Sequence, residues 1–473
     1  MELDKMLCEE NATLLGVLYT INTNTKGTAF IVDQSKILLG VVTDGDVRRA
    51  LLSGKQLDTK VSEVLQNHYV IGSLGDSYET LLSKTNSKIK ILPIVDENKR
   101  VVDFFEYRTD ITTPVSSPYL KGNELKYVTD AVLSTWISST GKYIDQFEQE
   151  FATFSECDYG VAVSNGTVAL HLALATLGIG EGDEVIIPDL TFAATINAVL
   201  HANATPVIVD VEKDSWCIDP LEIKKAITKN TKAIIPVHIY GQPCEMDSIM
   251  ELANQHNLFV VEDCAEAHGA TYKGRKVGSF GHIGCFSFFA NKIITTGEGG
   301  MCVTNDAKQN LKLRQLRDHG MSKEKRYWHE EVGFNYRMTN LQAAIGVAQM
   351  EKVNEILDER MSIGSMYSSG LNGMNGFEMQ KKLQDREKVV WLYSALIKDN
   401  KRDEVLKELK EQGYDARPFF YSLSEMEIYQ DYAFSNKNSL EISSEGINLP
   451  TYVGISDDVI QNVSKHLERF IDK

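Results

Sequence analysis

The lysine at position 292 stands alone among apolar residues and glycines in the stretch SFFANKIITTGEGG, residues 287–300. Aromatic neighbours strip water from an amine, which lowers its pKa and leaves it free to attack a carbonyl carbon. The ordinary alternative for any single lysine is a surface side chain whose aliphatic stem packs on apolar residues. Lys292 is therefore a candidate nucleophile. Its assignment depends on whether other segments supply groups for the same chemistry.

Two other segments place polar groups where a buried strand would end. The segment LFVVEDC ends close to Glu262 and Asp263, and YGVAVS leads into SNGTVALHLALATLGI, residues 164–179. A buried carboxylate is costly unless it meets a cation or caps a helix. The free N–H groups at the start of a helix favour an anion, most simply a phosphate, although many such turns cap a helix without a ligand.

Together these three segments match the needs of one cofactor, pyridoxal 5'-phosphate. It requires a lysine for its aldehyde, an acid against its ring nitrogen and a cup for its phosphate. Lys292, Asp263 and the helix start at Gly166 and Thr167 supply these groups in turn. The interval from Asp263 to Lys292 is long enough for a loop and a further strand, GCFSFF, to return to the same edge of a sheet.

Length and composition limit the classes of protein. The chain has 473 residues, too many for one core, so we expect two or three domains. Its net charge of −17 disfavours nucleic-acid or anionic-membrane partners. Its 7 cysteines form no C-x-x-C pair, which predicts buried thiols in the cytoplasm and no metal site. The N-terminus predicts no signal peptide.

The first part of the chain contains one module in two copies. AFIVDQSKILLGVVTDGD, residues 29–46, and LPIVDENKRVVDFFEYRT, residues 92–109, are strand–turn–strand units, and Val32 corresponds to Val95. A helical segment, DVRRALLSG, follows the first copy. Two such units side by side would bury each other's sheets.

The segment GVVTDGDVRRAL resembles the end of a CBS module, so the two copies resemble an α+β CBS pair. This resemblance implies that Thr43 and Asp46 bind the ribose of an adenine nucleotide and form a regulatory site. The second copy departs from the pattern, with Asp103, Glu106 and Thr109 at the corresponding places. Packing or dimerisation without a ligand is the open alternative.

The Pro/Ser-rich segment TTPVSSPYLKG predicts a boundary, so the first domain is assigned to residues 1–113. The apolar runs that follow are mostly continuous, as expected for an α/β domain whose mostly parallel sheet has helices on both faces. RMTNLQAAIGVAQMEKVNEILDERM predicts one long helix with a capping box at Thr339 and Gln342. We assign residues 114–350 to the large domain and 351–473 to a small C-terminal α/β domain.

From about residue 114 onward the chain resembles the DegT/DnrJ/EryC1/StrS group of nucleotide-sugar aminotransferases, which are fold type I enzymes that use pyridoxal phosphate. The segments that carry the resemblance occur in family order: GKYIDQFEQEFA, SNGTVALHLAL, VIIPDLTFAATINA, PVHIYGQPCEMD, VEDCAEAHGATYKGRKVGSFG, SFFANKIITTGEGG and GFNYRMTNLQAAIG.

The resemblance implies a role for each residue around the cofactor. Lys292 would bind the aldehyde and move protons, and Asp263 would keep the ring nitrogen protonated. Glu266 would hydrogen-bond the ring hydroxyl, where many relatives have Gln. Phe192 would stack on the ring, and Ser287 would hold the phosphate with the backbone amides of Gly166 and Thr167. Asn335 would reach the phosphate of the neighbouring subunit, which implies an obligate homodimer.

The sugar-binding residues are less defined. Candidates are Arg337, Arg417 and Tyr421. After RPFFY, relatives usually carry a pattern like P-x-H-x-M-P near the substrate, whereas this chain has other residues at those places, Ser422, Ser424 and Glu427. This departure puts the identity or orientation of the sugar in doubt.

The resemblance implies transamination of a nucleotide-linked 4-keto-6-deoxyhexose with L-glutamate as donor, and favours GDP-4-keto-6-deoxy-D-mannose in surface-polysaccharide biosynthesis. UDP- or dTDP-linked sugars are the nearest alternative, and a non-catalytic regulator of the same fold is another. A sugar dehydratase would carry histidine in place of Lys292.

Overall fold

The structure, a computed structural model, describes residues 3–65, 69–85, 89–106, 113–322 and 324–471. The chain divides into two units, Met1–Asp110 and Ile111–Lys473. Thr109, one of the corresponding positions of the second copy, lies outside the described residues. Among the helices of the described ranges, none combines the length and apolar character needed to cross a membrane.

The first unit contains two three-stranded sheets, ordered β1-β2-β3 and β4-β5-β6. Its elements are β1 Leu7–Glu9, α1 Leu14–Asn24, β2 Thr28–Val32, β3 Leu38–Thr43, α2 Asp44–Leu52, β4 Gly72–Ser73, α3 Tyr78–Ser83, β5 Ile91–Val95 and β6 Val101–Glu106. In each sheet the central strand pairs in parallel with the first strand and antiparallel with the third.

The predicted repeat is confirmed by the register of these strands. In the first sheet the pairing shifts between Ile31 and Val32, and in the second it shifts between Ile94 and Val95. These are corresponding residues of the two copies, so the same β-bulge recurs at the same place. Each bulge lies beside the turn that joins the second and third strands, where it changes the twist of the hairpin.

The second unit begins with a large α/β part. Its elements are α4 Glu124–Leu133, α5 Lys142–Phe154, β7 Tyr159–Val163, α6 Gly166–Thr176, β8 Glu184–Pro188, α7 Ala194–His201, β9 Thr205–Val209, α8 Pro220–Ala226, β10 Thr231–Ile234, α9 Met246–His256, β11 Phe259–Asp263, β12 Thr271–Tyr272, β13 Arg275–Lys276, β14 Ile283–Ser287, β15 Gly300–Thr304, α10 Ala307–Arg317 and α11 Asn340–Met350.

Seven strands of this part form one sheet in the order β7-β15-β14-β11-β10-β8-β9. β15 is antiparallel to both of its neighbours, and the other pairs are parallel. The strands are almost wholly buried, which explains why their apolar runs are continuous rather than alternating. The parallel strands therefore end at one common edge, and the turns after them can meet there.

The predicted single long helix after Arg337 is wrong. The structure has α11 and then a separate helix, α12 Val353–Leu371, although the capping box at Thr339 and Gln342 is confirmed. Between the helices, Lys352 has a φ of −124° and its ammonium lies 3.1 Å from a carboxylate oxygen of Glu124 at the start of α4. This tertiary contact overrides a sequence that favours helix throughout.

The rest of the chain carries a four-stranded sheet, ordered β16-β18-β20-β19. Its elements are β16 Phe377–Met379, β17 Arg386–Glu387, β18 Tyr393–Ile397, α13 Arg402–Glu411, β19 Arg417–Pro418, α14 Lys437–Glu445, β20 Gly446–Leu449 and α15 Asp457–Ile471. β17 lies apart from this sheet and pairs with β12. The domain boundary at residue 350 stays a prediction.

Candidate active site

A cavity of about 580 Å³ lies at the carboxyl ends of β8, β11 and β14 and at the start of α6. It brings together most of the residues proposed for the cofactor, which are Gly166, Thr167, Phe192, Asp263, Glu266, Ser287 and Lys292. These residues come from separate turns of the sheet. The cavity is therefore a product of the parallel topology, which gathers the ends of distant strands.

Lys292 follows β14 and turns its amine into the cavity. The Nζ atom lies 3.5 Å from Oε1 of Glu266 and 4.1 Å from the centre of the Trp391 ring. The Trp391 indole donates a 2.7 Å hydrogen bond to the carbonyl of Asn291, so the ring is fixed beside the lysine. Trp391 was missed at the sequence level because it stands in the apolar run VVWLYSAL, which carries no polar signal.

Asp263 is the last residue of β11, and its carboxylate is buried. It accepts hydrogen bonds from the hydroxyl of Thr195 at 2.9 Å and from the N–H of Ala265 at 3.1 Å. Burial nevertheless raises the pKa of Asp263, because desolvation of the charged form outweighs these donors. A positive charge at the cavity side of Asp263 would offset that cost.

The neighbouring acid, Glu262, points to the opposite face of the strand. It accepts a hydrogen bond from His238 Nε2 at 3.1 Å, and His238 Nδ1 accepts one from the N–H of Cys244. Three backbone N–H groups also donate to Glu262, those of Gly278, Phe280 and Gly281. Both carboxylate oxygens of Glu262 thus accept hydrogen bonds from groups of the fold. Of these two adjacent acids, Asp263 lines the cavity and Glu262 does not.

Glu266 forms a second buried acid at the cavity. Its Oε2 atom accepts a 2.8 Å hydrogen bond from the N–H of Tyr240, while Oε1 faces Lys292. Burial raises the pKa of Glu266 to about 7, and the nearby lysine only partly opposes this shift. Tyr240 has a φ of +50°, an uncommon conformation for a bulky residue, and its hydroxyl accepts a 2.9 Å hydrogen bond from the N–H of Phe420.

The start of α6 forms an anion cradle against β14. The Asn165 side chain accepts a hydrogen bond from the N–H of Val168, while the first N–H groups of a helix have no partner within it. A Cβ atom at Gly166 would lie 2.7 Å from Cβ of Ser287. Only glycine therefore allows the helix start to approach the serine so closely. With a lysine and two acids beside this cradle, the residues fit pyridoxal phosphate.

Two residues proposed from the sequence lie elsewhere on the second unit. Asn335 is exposed and forms a β-bridge with Asp318, and the Arg337 guanidinium pairs with the same aspartate. Neither residue lines the cavity of its own chain.

The candidates near the C-terminal sheet are also outside the cavity. Arg417 donates two 2.8 Å hydrogen bonds to the carboxylate of Asp415. Tyr421 is 52% exposed, with the Arg402 guanidinium 5.9 Å from its ring centre. Next to it, Phe420 does line the cavity, 5.5 Å from the ring of Phe192.

The three residues that depart from the pattern of relatives do not line the cavity either. Ser422 is buried and Glu427 is exposed. Ser424 donates from both its N–H and its hydroxyl to the carboxylate of Asp189. Any effect of these residues on a substrate is therefore indirect within one subunit.

In the first unit, Thr43 and Asp46 bind each other. Thr43 is the N-cap of α2 and forms a capping box with Asp46, with a 2.6 Å hydrogen bond between the hydroxyl and the carboxylate. Arg49 donates a further 2.6 Å hydrogen bond to Asp46. These hydrogen bonds hold the two side chains together at the start of α2.

Comparison with known proteins agrees with this geometry. The profile of the DegT/DnrJ/EryC1/StrS aminotransferase family matches residues 118–468. The GDP-perosamine synthase of Caulobacter vibrioides is 45% identical over 366 residues, covering 76% of this chain and 98% of that protein. The GDP-perosamine synthase of Escherichia coli O157:H7 is 42% identical over 358 residues, with the same coverage of 76% and 98%.

A crystal structure of S. venezuelae DesV is 33% identical and superposes with a TM-score of 0.71, covering 74% of this chain and 95% of DesV. The family match spans well over half of the sequence and includes all the residues that line the cavity. The predicted enzyme class is thereby confirmed. The chain belongs to the DegT/DnrJ/EryC1/StrS aminotransferase family and is a pyridoxal-phosphate-dependent sugar aminotransferase.

Proposed function

We propose that the enzyme transfers the amino group of L-glutamate to GDP-4-keto-6-deoxy-D-mannose, giving GDP-perosamine and 2-oxoglutarate. The observation that supports the GDP-linked sugar is the similarity to two GDP-perosamine synthases along nearly their whole length. The same chemistry on a UDP- or dTDP-linked 4-keto sugar is the alternative that a substrate panel must separate.

The cofactor, when bound, supplies an aldehyde that carries the amino group between substrates and a ring that accepts electrons. Lys292 would hold it through its amine and would move a proton at the reacting carbon of the substrate. The 3.5 Å separation between the Lys292 amine and the Glu266 carboxyl group supports this role, because a carboxyl group beside the amine can keep it in position while it gains and loses a proton.

Asp263 and the anion cradle orient the two ends of the cofactor. Asp263 would keep a proton on the ring nitrogen, and the resulting ion pair would offset the cost of burying its carboxylate. Gly166, Thr167 and Ser287 would bind the phosphate through N–H and hydroxyl groups. Phe192, which is 59% exposed at the cavity, would pack against the ring.

We further propose that the active enzyme is a homodimer in which Asn335 completes the phosphate site of the partner copy. Asn335 is exposed and away from its own cavity, and the apolar side chains of Trp328 and Val332 near it are exposed as well. Coexpression of Lys292→Ala with Asn335→Ala tests this, because a mixed dimer would regain one intact site. Mixed dimers as inactive as either parent would contradict a shared site.

For the first unit we propose binding of an adenine nucleotide at Thr43 and Asp46. The support is the capping box, which gathers a hydroxyl and a carboxylate at one helix start. Calorimetry of the full chain with adenine and guanine nucleotides tests the proposal, with Asp46→Ala as the comparison. Absence of binding by any nucleotide would leave the unit with a packing role.

The decisive experiment is a half-reaction screen. The holoenzyme is converted to its amino form with L-glutamate and then mixed separately with GDP-, UDP- and dTDP-linked 4-keto-6-deoxy sugars. Return of the absorbance of the lysine-bound cofactor with the GDP sugar is the expected result. Return with another nucleotide would overturn the substrate and keep the reaction, and failure of the glutamate step would overturn the donor.

A further inference from the structure

Asp189 is a buried carboxylate near the cavity for which the proposed chemistry has no use. It follows β8 directly and is fully buried. Its oxygens accept hydrogen bonds from the Ser424 N–H at 2.7 Å, the Ser424 hydroxyl at 2.8 Å and the Ser439 hydroxyl at 2.6 Å. No lysine or arginine of the described ranges forms an ion pair with it, so neutral donors alone compensate the acid.

This arrangement is costly. Burial raises the pKa of Asp189, and the three donors oppose the shift without cancelling it. A buried acid of this kind holds the segments that it connects in place. If a donor moved away, a buried carboxylate oxygen would lose its hydrogen bond, which is unfavourable.

Asp189 connects two walls of the cavity that lie far apart in the sequence. On one side, the turn that begins with Asp189 continues to Phe192. On the other, the Leu423 N–H donates a 3.1 Å hydrogen bond to the Asp189 carbonyl, just after Phe420 and Tyr421. The rings of Phe192 and Phe420 approach to 5.5 Å between centres, and both line the cavity.

A further serine, Ser443, binds the backbone of the same segment. The Ser443 hydroxyl donates a 3.0 Å hydrogen bond to the carbonyl of Phe420 and accepts a 3.1 Å hydrogen bond from the N–H of Ser422. Ser439 and Ser443 both belong to α14, so this helix takes part in three of these hydrogen bonds. The backbone of residues 420–424 is thus fixed at both ends.

The small side chain of Ser424 lies between Asp189 and Asn436 and forms hydrogen bonds with both. The Ser424 hydroxyl also accepts a 3.0 Å hydrogen bond from the Asn436 amide, so polar groups enclose it on two sides. Where relatives carry a histidine near the substrate, this chain has a serine that is directed at Asp189 and away from the cavity.

We propose that Asp189, Ser424 and Ser439 form a clamp that fixes the distance between Phe192 and Phe420 and thereby orients the sugar at the mouth of the cavity. The three are positioning residues, which act through the two phenylalanines and Tyr421. The proposal rests on the proposed sugar transamination. It assigns to the clamp a role in the sugar half of the reaction and little in the donor half, because loss of Ser424 releases the segment of Phe420 and Tyr421, whereas Phe192 stays in the turn that directly follows β8.

The two half-reactions separate this role from a merely structural one. With Ser424→Ala we expect the apparent KM for the keto sugar to rise about tenfold, as for loss of one orienting hydrogen bond, at a nearly unchanged kcat. The rate and KM of the glutamate half-reaction should stay within about twofold of wild type. Ser424→Thr, which keeps the hydroxyl, should restore the sugar KM, and Ser444→Ala on the exposed side of α14 is the matched control.

A parallel variant, Asp189→Asn, should raise the sugar KM at least as much, since an amide cannot accept from both serines and from the Ser424 N–H. Thermal melting and cofactor content of each variant identify loss of fold. An unchanged sugar KM in Ser424→Ala, or an equal loss in both half-reactions, would overturn the clamp alone. Wild-type enzyme that converts no sugar of the panel would instead overturn the proposed function, and the clamp's role with it.

Discussion

The two units of the chain each contain a strand that turns directly into a helix, and the two turns treat their polar groups in opposite ways. In the first unit, α2 has Asp44 and Asp46 in its first turn, and Thr43 closes a capping box. In the second unit, α6 begins at Gly166, and its first turn contains no acidic residue. One helix start neutralises itself, and the other keeps its partial positive charge.

This difference separates a helix start that already has its own carboxylate from one whose N–H groups are free to bind a phosphate. A helix start that supplies its own carboxylate has little left to offer an anion. At α6 the free N–H groups instead face the cavity that contains Lys292, Asp263 and Glu266. The same backbone arrangement is therefore closed to an anion in one unit and open to one in the other, according to which side chains accompany it.

The largest expected effect is that of Lys292→Ala, which removes the reactive amine from the cavity beside α6. Without the amine, the cavity keeps its acids and its anion cradle but loses both covalent attachment and proton transfer. We expect kcat to fall by more than about a thousandfold. Steady-state transamination by the purified variant measures the loss, and Lys308→Ala on the exposed face of α10 is the control.

A Lys292→Ala enzyme that retains a tenth of the wild-type rate would remove the lysine from the mechanism. Its thermal melting point should stay close to that of the wild type, because the amine has only the 3.5 Å contact with Glu266 and the 4.1 Å contact with the Trp391 ring to lose.

The second prediction makes the start of α6 resemble that of α2. Thr167→Asp places an acid in the first turn of α6, where it would repel the cofactor phosphate and occupy the free N–H groups. We expect the Kd for pyridoxal phosphate to rise at least about a hundredfold, measured by absorbance titration of the apoprotein. Thr167→Asn, which has the same shape without the charge, should bind far more tightly than the aspartate variant.

Equal affinities of the Asp and Asn variants would show that charge at the start of α6 does not govern binding. The contrast between the two helix starts would then lie in shape alone.

How much of this site is predictable from sequence depends on how far apart its parts lie. Lys292 and Asp263 carry local signals, since each polar group ends an apolar run. Thr195 and Trp391 carry none, because an ordinary threonine and a tryptophan in an apolar strand gain meaning only when the sheet brings them to Asp263 and Lys292. The parallel sheet and the repeat are also predictable from the sequence, because each is indicated by the pattern of apolar residues within single short segments.

Contacts between distant segments were not predictable. Nothing in the residues around Ser424 indicates that it binds Asp189, and the sequence suggested a role near the substrate instead. The break between α11 and α12 depends on Lys352 meeting Glu124, again across a long separation. In both cases the deciding term is a buried polar contact that forms only after the chain has folded.

The third prediction concerns the acid beside the lysine. In the unfolded chain Glu266 ionises near 4.5, whereas burial raises its pKa in the folded apoprotein to about 7. Between these values the folded state binds the proton more tightly, so rising pH favours unfolding. The wild type should lose about 3 kcal/mol of stability across this window relative to Glu266→Gln. Urea unfolding of both apoproteins from pH 4.5 to pH 8 measures the difference.

Parallel pH dependence of the wild type and the glutamine variant would mean that Glu266 does not titrate in this range. The cofactor-bound enzymes give a second readout, because the absorbance of the lysine-bound cofactor should titrate differently when the neighbouring acid is replaced by an amide.

The smallest effect belongs to the helix start that neutralises itself. Thr43→Ala removes the N-cap hydroxyl of α2, and loss of such a cap typically costs about 1 kcal/mol. Thr43→Ser should retain most of that stability, and neither variant should change the kcat of transamination. If Thr43→Ala left the unfolding of the first unit unchanged, the capping box would not be what stabilises the start of α2. Loss of nucleotide binding in that variant would support the ligand proposed for the first unit, and the contrast between the two helix starts would then be one of ligand, an adenine nucleotide at α2 against a cofactor phosphate at α6.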